Sequence, residues 1–454
     1  MISSKPLNTG GNMSGKERVL LALNHKESDR IPMHDSPWSA TIKRWKKEGL
    51  PEEVDVNEYF GWDFTFLGAN CTPRFPVKVI EKNERFIIQT TPQGGKRKNF
   101  LDYTTTPEVI DWPIKTKDDW KEIKKRLKPD FTRVDWVSAL DIYNKARDEG
   151  KFICFSGGFG YDILQSYIKS EQLLITMIED PEWVKEMIMT LAELTLVMME
   201  FMMKNGFSFD GAFFYNDMGY RNGPLFSPDA YLKTHYQADK MAYGYCHSKN
   251  MKVILHCCGN VKEFIPMLID AGLDCLQPLE VKAGMDLIEL KEKYGDKLSF
   301  MGGIDTRLMN DPDKTKIENE IKTKFAVAMK NGGYIYHSDH SIPNTVSFSD
   351  YCYVAELVKK YGVYEHPEPV SEPAITVVEE KEPVEQRKKK FGFGLKKREE
   401  KKQPQEKPVE PETKKRKLFG KKARTQEPAA ASAEEKTEKP EKKSMFGFLK
   451  GKKK

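Results

Sequence analysis

Short apolar runs alternate with longer amphipathic stretches along residues 150–340. The apolar runs have the length and composition of buried β-strands, and they are Phe152–Ser156, Gly211–Tyr215, Lys252–His256, Asp274–Gln277, Leu298–Met301 and Gly333–Tyr336. The amphipathic stretches have the helical period, and they are Asp180–Lys204, Ser227–Asn250, Val261–Ala271, Met285–Tyr294 and Pro312–Asn331. This alternation predicts an α/β protein with a parallel sheet, and the number of repeats favours a (β/α)₈ barrel of the TIM type.

The pattern is less regular before residue 150. It predicts a basic helix over Lys16–Asn24 and a β-hairpin over Val77–Thr91. Charge then divides the chain, because residues 381–454 carry a net charge of +14 and the residues before them carry −8. From about Pro367, Pro, Glu and Lys dominate and apolar periodicity stops, which is typical of disorder. We therefore predict a flexible N-terminus over 1–13, a barrel over 14–366 and a disordered basic tail over 367–454.

Three basic islands with a Phe-Gly core interrupt the tail, at residues 388–397, 414–422 and 445–454. Repeated basic patches with an apolar insert are typical of segments that bind an anionic surface. The candidates are a membrane leaflet, a nucleic acid and an acidic protein. The acidic barrel is another candidate, in cis. The alternative is a solvated tail that binds nothing.

Cysteine usage and hydropathy bear on the compartment. The seven cysteines are an odd number without a disulfide spacing pattern, which indicates a reduced, cytoplasmic protein. No run of apolar residues has the length of a transmembrane helix, and the N-terminus lacks the apolar core of a signal peptide. We expect a cytoplasmic protein that contacts an anionic surface, if any, through its tail.

Polar groups follow nearly every predicted strand, as in Asn216-Asp217, His256 to Gly259, Glu280, Asp305 and His337 to His340. In a (β/α)₈ barrel the carboxyl ends of the strands form one mouth, where catalysis takes place. Residues far apart in sequence are therefore expected to converge there. Ordinary turn residues at strand ends are the alternative explanation.

His256 and Cys258 are the strongest chemical signal. They are two residues apart at the end of a strand, so their side chains point to one side and that of Cys257 points to the other. Imidazole and thiolate are zinc ligands, and a catalytic zinc takes about three protein ligands with one open position. His337, Asp339 and His340 are chemically suitable as the third ligand. A His and a Cys that simply belong to the core are the alternative.

The motifs together resemble the uroporphyrinogen decarboxylase (URO-D) superfamily, including its cobalamin-linked methyltransferase branch. The resemblance runs from about Lys16 to Tyr364, and its motifs are Glu17 to Leu23, Asp29 to Pro32, Gly219 to Pro228, His256 to Gly259 (HCCG), Gln277 to Glu280, Gly302 to Asp305 and Gly332 to Ile335. It implies a (β/α)₈ barrel.

The methyltransferase branch is the closer match. Decarboxylases of this superfamily carry an Arg-rich motif that binds the substrate carboxylates, whereas Met33 to Trp38 contains no arginine. His34 and Asp35 stand there instead, and we expect the Asp35 carboxylate to repel a porphyrinogen. The methyltransferase branch has His-x-Cys and a distant Cys as zinc ligands. The resemblance thus implies His256, Cys258 and, at the position of the distant Cys, His340, with His337 as its main rival.

The resemblance also implies the reaction and its partners. Zinc activates a thiol, and a methyl group moves between that acceptor and the methylcobalamin of a separate corrinoid protein, in either direction. Glu280 and Asp305 are candidate catalytic residues at the mouth. Tyr161, Asn216 and Asp217 are candidates for binding the small-molecule substrate, and orienting the metal ligands is the alternative role for Asp217 and Asp305.

Two other functions stay open on the sequence alone. The first is a metal-free decarboxylase or another lyase on the same fold. The second is a non-catalytic binding scaffold displayed by its tail. Metal content distinguishes both from the zinc-dependent methyltransferase, because neither requires zinc.

Overall fold

The computed structural model describes residues 13–101 and 107–365. The predicted segments 1–13 and 367–454 therefore lie almost wholly outside the described residues, and the domain boundaries stay predictions. No helix within the described ranges is both long and apolar enough to cross a membrane.

The strands, in chain order, are β1 (Phe64–Gly68), β2 (Val79–Lys82), β3 (Phe86–Thr90), β4 (Lys96–Phe100), β5 (Glu108–Asp111), β6 (Phe152–Gly158), β7 (Gly211–Tyr215), β8 (Gly219–Tyr220), β9 (Gly223–Pro224), β10 (Lys252–His256), β11 (Cys275–Gln277), β12 (Ser299–Met301) and β13 (Tyr334–Ile335).

The α-helices, in chain order, are α1 (Gly15–Leu23), α2 (Ser39–Lys47), α3 (Val56–Phe60), α4 (Lys117–Lys124), α5 (Trp136–Asp148), α6 (Tyr161–Leu164), α7 (Ser170–Glu179), α8 (Pro181–Lys204), α9 (Pro228–Thr234), α10 (Tyr236–Ser248), α11 (Ile265–Ala271), α12 (Leu287–Tyr294), α13 (Thr306–Met309), α14 (Lys314–Ala328) and α15 (Phe348–Tyr361). Capping boxes begin three of them, at Ser14, Thr116 and Ser347.

Seven strands form one parallel, curled sheet in the order β1-β6-β7-β10-β11-β12-β13. Helices cover its outer face, as the strand–helix alternation predicted, so the α/β class and the barrel-type sheet are confirmed. The strands are buried on both faces because side chains also fill the interior. The interior residues alternate along the strands, and they include Phe64, Phe152, Cys154, Phe213, Ile254, Cys275, Met301 and Ile335.

A short segment takes the place of an eighth strand in the described sheet. The Met33 carbonyl accepts a hydrogen bond from the Asp63 N–H, next to β1, at 2.8 Å. On the other side, the Tyr336 N–H donates to the Pro32 carbonyl at 2.9 Å and the His34 N–H donates to the Tyr336 carbonyl at 3.1 Å. Residues 32–34 thus connect the two edge strands. Helix α1 supplies Val19, Ala22 and Leu23 to the interior cluster.

Strands β2 to β5 form a separate antiparallel sheet of four strands. Its first two strands are the predicted hairpin, whereas β4 and β5 were missed because their polar residues hide the alternation. None of its strand residues is buried.

Two predicted helices are interrupted. The stretch Ser227–Asn250 contains α9 and α10, which meet at the buried His235. The stretch Val261–Ala271 starts with a 3₁₀ turn over Lys262–Phe264 before α11. Both breaks keep the apolar side facing inward, so the hydrophobic period does not reveal them.

Candidate metal centre

The candidate site lies at the carboxyl ends of three neighbouring strands, next to their inward-facing side chains. Strands β7, β10 and β11 lie side by side, with His256 paired to Tyr215 on one neighbour and to Gln277 on the other. Ile254 and Cys275 point into the barrel. Because side chains alternate with period 2, His256 and Gln277 point inward as well, at the carboxyl ends of their strands.

His256 and Cys258 lie together, as their spacing predicted. The His256 Nε2 atom is 3.4 Å from the Cys258 Sγ atom. Cys257 points the other way and is buried, and its sulfur accepts a hydrogen bond from the Met218 N–H at 3.3 Å.

Asp217 completes a cluster of three potential metal donors. Its Oδ1 atom lies 3.5 Å from the His256 Nε2 atom and accepts a hydrogen bond from the Cys258 N–H at 2.8 Å. Among the described residues, Asp217, His256 and Cys258 are the His, Cys and carboxylate side chains whose ligand atoms gather within 4.8 Å of one another. Asp217 was predicted from the sequence to bind the substrate. The signal missed there is strand order, since β7 and β10 are consecutive barrel strands and both end in polar residues.

Burial governs the protonation of the cluster. It raises the pKa of Cys258, and the carboxylates of Asp217 and Glu280 raise it further. Burial also lowers the pKa of His256, against the opposing effect of Asp217. At neutral pH the metal-free cluster therefore holds a thiol and a neutral imidazole. A bound cation is what would favour the thiolate.

Gln277 and His337 lie behind His256, and both are buried. The Gln277 Oε1 atom is 2.5 Å from the His256 Nδ1 atom, and the Gln277 Nε2 atom is 3.3 Å from the His337 Nε2 atom. His337, the rival metal ligand, thus contacts His256 through Gln277. No role for Gln277 was predicted from the sequence.

His340 is not a member of the donor cluster. Its Nδ1 atom lies 3.4 Å from the Ser341 carbonyl oxygen. Asp339, another candidate, accepts hydrogen bonds from the Thr306 N–H at 3.0 Å and from the Val281 N–H at 3.1 Å. Its carboxylate therefore connects two loops. The assignment of His340 as third ligand stays a prediction.

Glu280 supports the loop that carries Cys258. Its Oε2 atom accepts a hydrogen bond from the Gly259 N–H at 2.8 Å, and its Oε1 atom pairs with Lys282 at 2.8 Å.

Asp305 caps α13 and pairs with Arg307, whose guanidinium lies 2.6 Å away. Burial raises the pKa of Asp305, but the opposing effect of Arg307 prevails and the pKa is lowered.

Asn216 and Tyr161 are buried beside the site. The Asn216 Oδ1 atom accepts a hydrogen bond from the Asp162 N–H at 3.3 Å, and Tyr161 packs on Phe226 with 5.3 Å between ring centroids. Asp162 is a further titratable group beside the site, and no motif in the sequence marks it. Burial and the Asp217 carboxylate raise its pKa to about 6.

Asp35 is enclosed by the fold, which corrects the expectation that its carboxylate meets and repels a porphyrinogen. It is buried and accepts hydrogen bonds from the hydroxyl groups of Tyr336 (3.1 Å), Tyr351 (2.8 Å) and Ser338. These partners satisfy its charge inside the fold. His34 is also buried, against Trp62, Phe64 and Phe66.

A barrel with a metal-type donor cluster at the carboxyl ends of its strands is an architecture that supports many enzyme activities. A family model described as uroporphyrinogen decarboxylase (URO-D) matches residues 99–361, which is more than half of the chain. The chain belongs to the URO-D family.

One of the solved structures compared shares the fold. A methyltransferase from Methanosarcina mazei aligns over 77% of this chain and 99% of its own, with 15% identity and a TM-score of 0.53. A GH30 endoxylanase from Clostridium papyrosolvens aligns over 75% of this chain and 74% of its own, with 12% identity and a TM-score of 0.34. The search of curated proteins finds no match.

Proposed function

We propose that the protein is a zinc-dependent methyltransferase that moves a methyl group between the methylcobalamin of a corrinoid protein and a thiol. The observation that carries the proposal is the convergence of His256, Cys258 and Asp217 at the barrel mouth. Family membership and the fold shared with a methyltransferase support it.

The spacing of His256 Nε2 from the other two donor atoms suits zinc. Ligands at zinc distances of about 2.0–2.3 Å in a tetrahedron lie about 3.3–3.8 Å from one another. The distances from His256 Nε2 to Cys258 Sγ and to Asp217 Oδ1 are 3.4 Å and 3.5 Å. One thiolate and one imidazole also favour zinc over magnesium or calcium, which prefer oxygen ligands.

Three protein donors leave one position for the substrate thiol. Zinc bound there would supply the positive charge that stabilises a thiolate at neutral pH. Asp217 would balance part of that charge, and its contact with the Cys258 N–H would hold the loop in place. We propose Asp217 as the third ligand, with His340 as the alternative that the resemblance implies.

Other mouth residues would position the substrate and the loops. Glu280 orients the turn at Gly259, next to Cys258. Tyr215 forms the wall beside His256, with 5.2 Å between ring centroids, and is partly exposed. The corrinoid protein would approach this open end of the barrel. We also propose that the basic tail contacts an anionic surface. The tail lies outside the described residues.

A methyl-transfer assay tests the function. Zinc-loaded protein, methylcobalamin and a thiol (2-mercaptoethanol, homocysteine or 2-mercaptoethanesulfonate in turn) are mixed without oxygen, and cobalamin absorbance is followed. The methyl group passes from cobalt to sulfur, the cobalt–carbon electron pair stays on cobalt as cob(I)alamin, and the thiol proton is released. We expect thiol-dependent loss of methylcobalamin that zinc chelation abolishes.

Variants make the assay specific. Cys258→Ala is expected to lower the rate at least about 100-fold because a metal ligand is lost. Cys352→Ala, on α15, is the matched cysteine control and is expected to keep the wild-type rate. Absence of thiol-dependent turnover with all three thiols, or wild-type turnover in Cys258→Ala, would contradict the proposal.

A further inference from the structure

A directional chain of hydrogen bonds runs from a backbone carbonyl to His256. The Ser338 carbonyl oxygen lies 2.6 Å from the His337 Nδ1 atom. The Gln277 Nε2 atom lies 3.3 Å from the His337 Nε2 atom and 3.4 Å from the His337 Nδ1 atom, and the Gln277 Oε1 atom lies 2.5 Å from the His256 Nδ1 atom.

The carbonyl fixes the direction of the chain. A carbonyl oxygen only accepts, so the His337 Nδ1 atom carries the hydrogen that it receives. In a neutral ring the His337 Nε2 atom is then an acceptor. Its single lone pair faces the Ser36 hydroxyl, 3.2 Å away, and the amide NH₂ of Gln277. A reversed Gln277 amide would turn its oxygen towards the lone pair of His337 Nε2, because the Nδ1 hydrogen is already donated to the Ser338 carbonyl. The orientation with the NH₂ group on His337 avoids that repulsion.

That orientation decides the tautomer of His256. With its NH₂ group on His337, Gln277 presents its carbonyl oxygen to the His256 Nδ1 atom, which must carry a hydrogen to donate. The His256 Nε2 atom is then free of hydrogen. Its lone pair faces Cys258 and Asp217, 3.4 Å and 3.5 Å away.

We propose that Gln277 is a positioning residue that, oriented by His337, keeps His256 in the tautomer that can bind a metal through Nε2. Gln277 and His337 are each only 2% exposed, so water has little access to replace either hydrogen bond. The role of this tautomer in metal binding depends on the proposed zinc site. The tautomer itself is a property of the metal-free protein and is measured without zinc.

Two substitutions of Gln277 separate orientation from packing. Gln277→Leu keeps much of the volume and removes both hydrogen bonds, so His256 can adopt either tautomer. Gln277→Glu keeps an acceptor for the His256 Nδ1 hydrogen, so the wild-type tautomer is retained. Gln165→Leu, at the end of α6 and away from His256, is the matched control.

Nitrogen-15 NMR of ring-labelled histidines in the metal-free protein reads the tautomer, with His256→Ala to assign the signal. We expect the Nδ1–H form of His256 in wild type, Gln277→Glu and Gln165→Leu. We expect a mixture or the Nε2–H form in Gln277→Leu. His337→Phe, which frees the Gln277 amide to rotate, should also give a mixture. Thermal unfolding monitors the folding of each variant.

Zinc affinity, from competition with a chelator, is the second readout. Loss of a hydrogen bond to the second ring nitrogen of a histidine ligand weakens metal binding about 10–100-fold. We expect this loss of zinc affinity in Gln277→Leu and the wild-type affinity in Gln277→Glu. An Nε2–H tautomer in wild type, or an unchanged tautomer in folded Gln277→Leu, would overturn the inference. The expected tautomers in a protein without zinc affinity would support the inference and contradict the proposed function.

Discussion

Replacing Asp239 by asparagine should remove a pH dependence from the stability of the barrel. Asp239 is buried on α10, and its Oδ2 atom accepts a hydrogen bond from the Tyr231 hydroxyl at 2.6 Å. Burial raises its pKa to about 7, against the opposing effect of that hydrogen bond. Asparagine is close in size, can accept the same hydrogen bond and carries no charge.

The sign follows from the two pKa values. In the unfolded chain the Asp239 carboxyl titrates near its ordinary value of 3.8, and in the folded chain near 7. Between these values the folded protein binds more protons, so stability falls as the pH rises. A shift of about 3 units corresponds to about 4 kcal/mol, of which about 3 kcal/mol falls between pH 5 and pH 8.

Urea unfolding of both proteins at pH 5 and pH 8, followed by circular dichroism, measures the effect. We expect the wild type to lose about 3 kcal/mol more than Asp239→Asn on going from pH 5 to pH 8. Other titrating groups are common to both proteins and cancel in the comparison. Equal losses in the two proteins would refute the reasoning, because Asp239 would then not titrate in this range.

Two further predictions concern the surroundings of the site. A Cβ atom on Gly160 would lie 2.3 Å from the Asn216 side chain, whereas one on Gly244 meets nothing within 4 Å. Gly160→Ala should therefore destabilise the protein by about 1–3 kcal/mol. Gly244→Ala, inside α10, should stabilise it by about 0.5–1 kcal/mol. Thermal unfolding measures both changes, and equal shifts of the melting temperature in the two variants would contradict the prediction. Asp305→Ala should cost about 1 kcal/mol in urea unfolding through loss of the α13 cap, and Asp305→Asn should restore most of it.

The sequence predicted the central strands better than the N-terminal third. The apolar runs at β7 and β10 have the predicted bounds, because buried parallel strands are continuous apolar runs. Strand β1 was missed, since Phe64–Gly68 is a single short run without a regular helical neighbour. The position of residues 32–34 between the edge strands depends on long-range pairing, which local pattern does not show.

The candidate site was predicted in part. The side that His256 and Cys258 share follows from period 2, and the structure confirms it. The contribution of Asp217 depends on which strands are neighbours, and that of Gln277 on the orientation of an amide, which sequence does not specify. The HCCG motif alone thus pointed to two of the three potential donors and not to their surroundings.

Metal content of protein purified without added metal tests the central claim most directly. It is measured by mass spectrometry for the wild type and for His256→Ala, Cys258→Ala, Asp217→Ala and His340→Ala, with His247→Ala, a surface histidine paired with Asp274, as the control. We expect about one zinc per chain in the wild type, the control and His340→Ala, and its loss in the other three variants. Loss in His340→Ala with retention in Asp217→Ala would move the third ligand to His340. A wild-type protein that holds no zinc even after reconstitution would contradict the account.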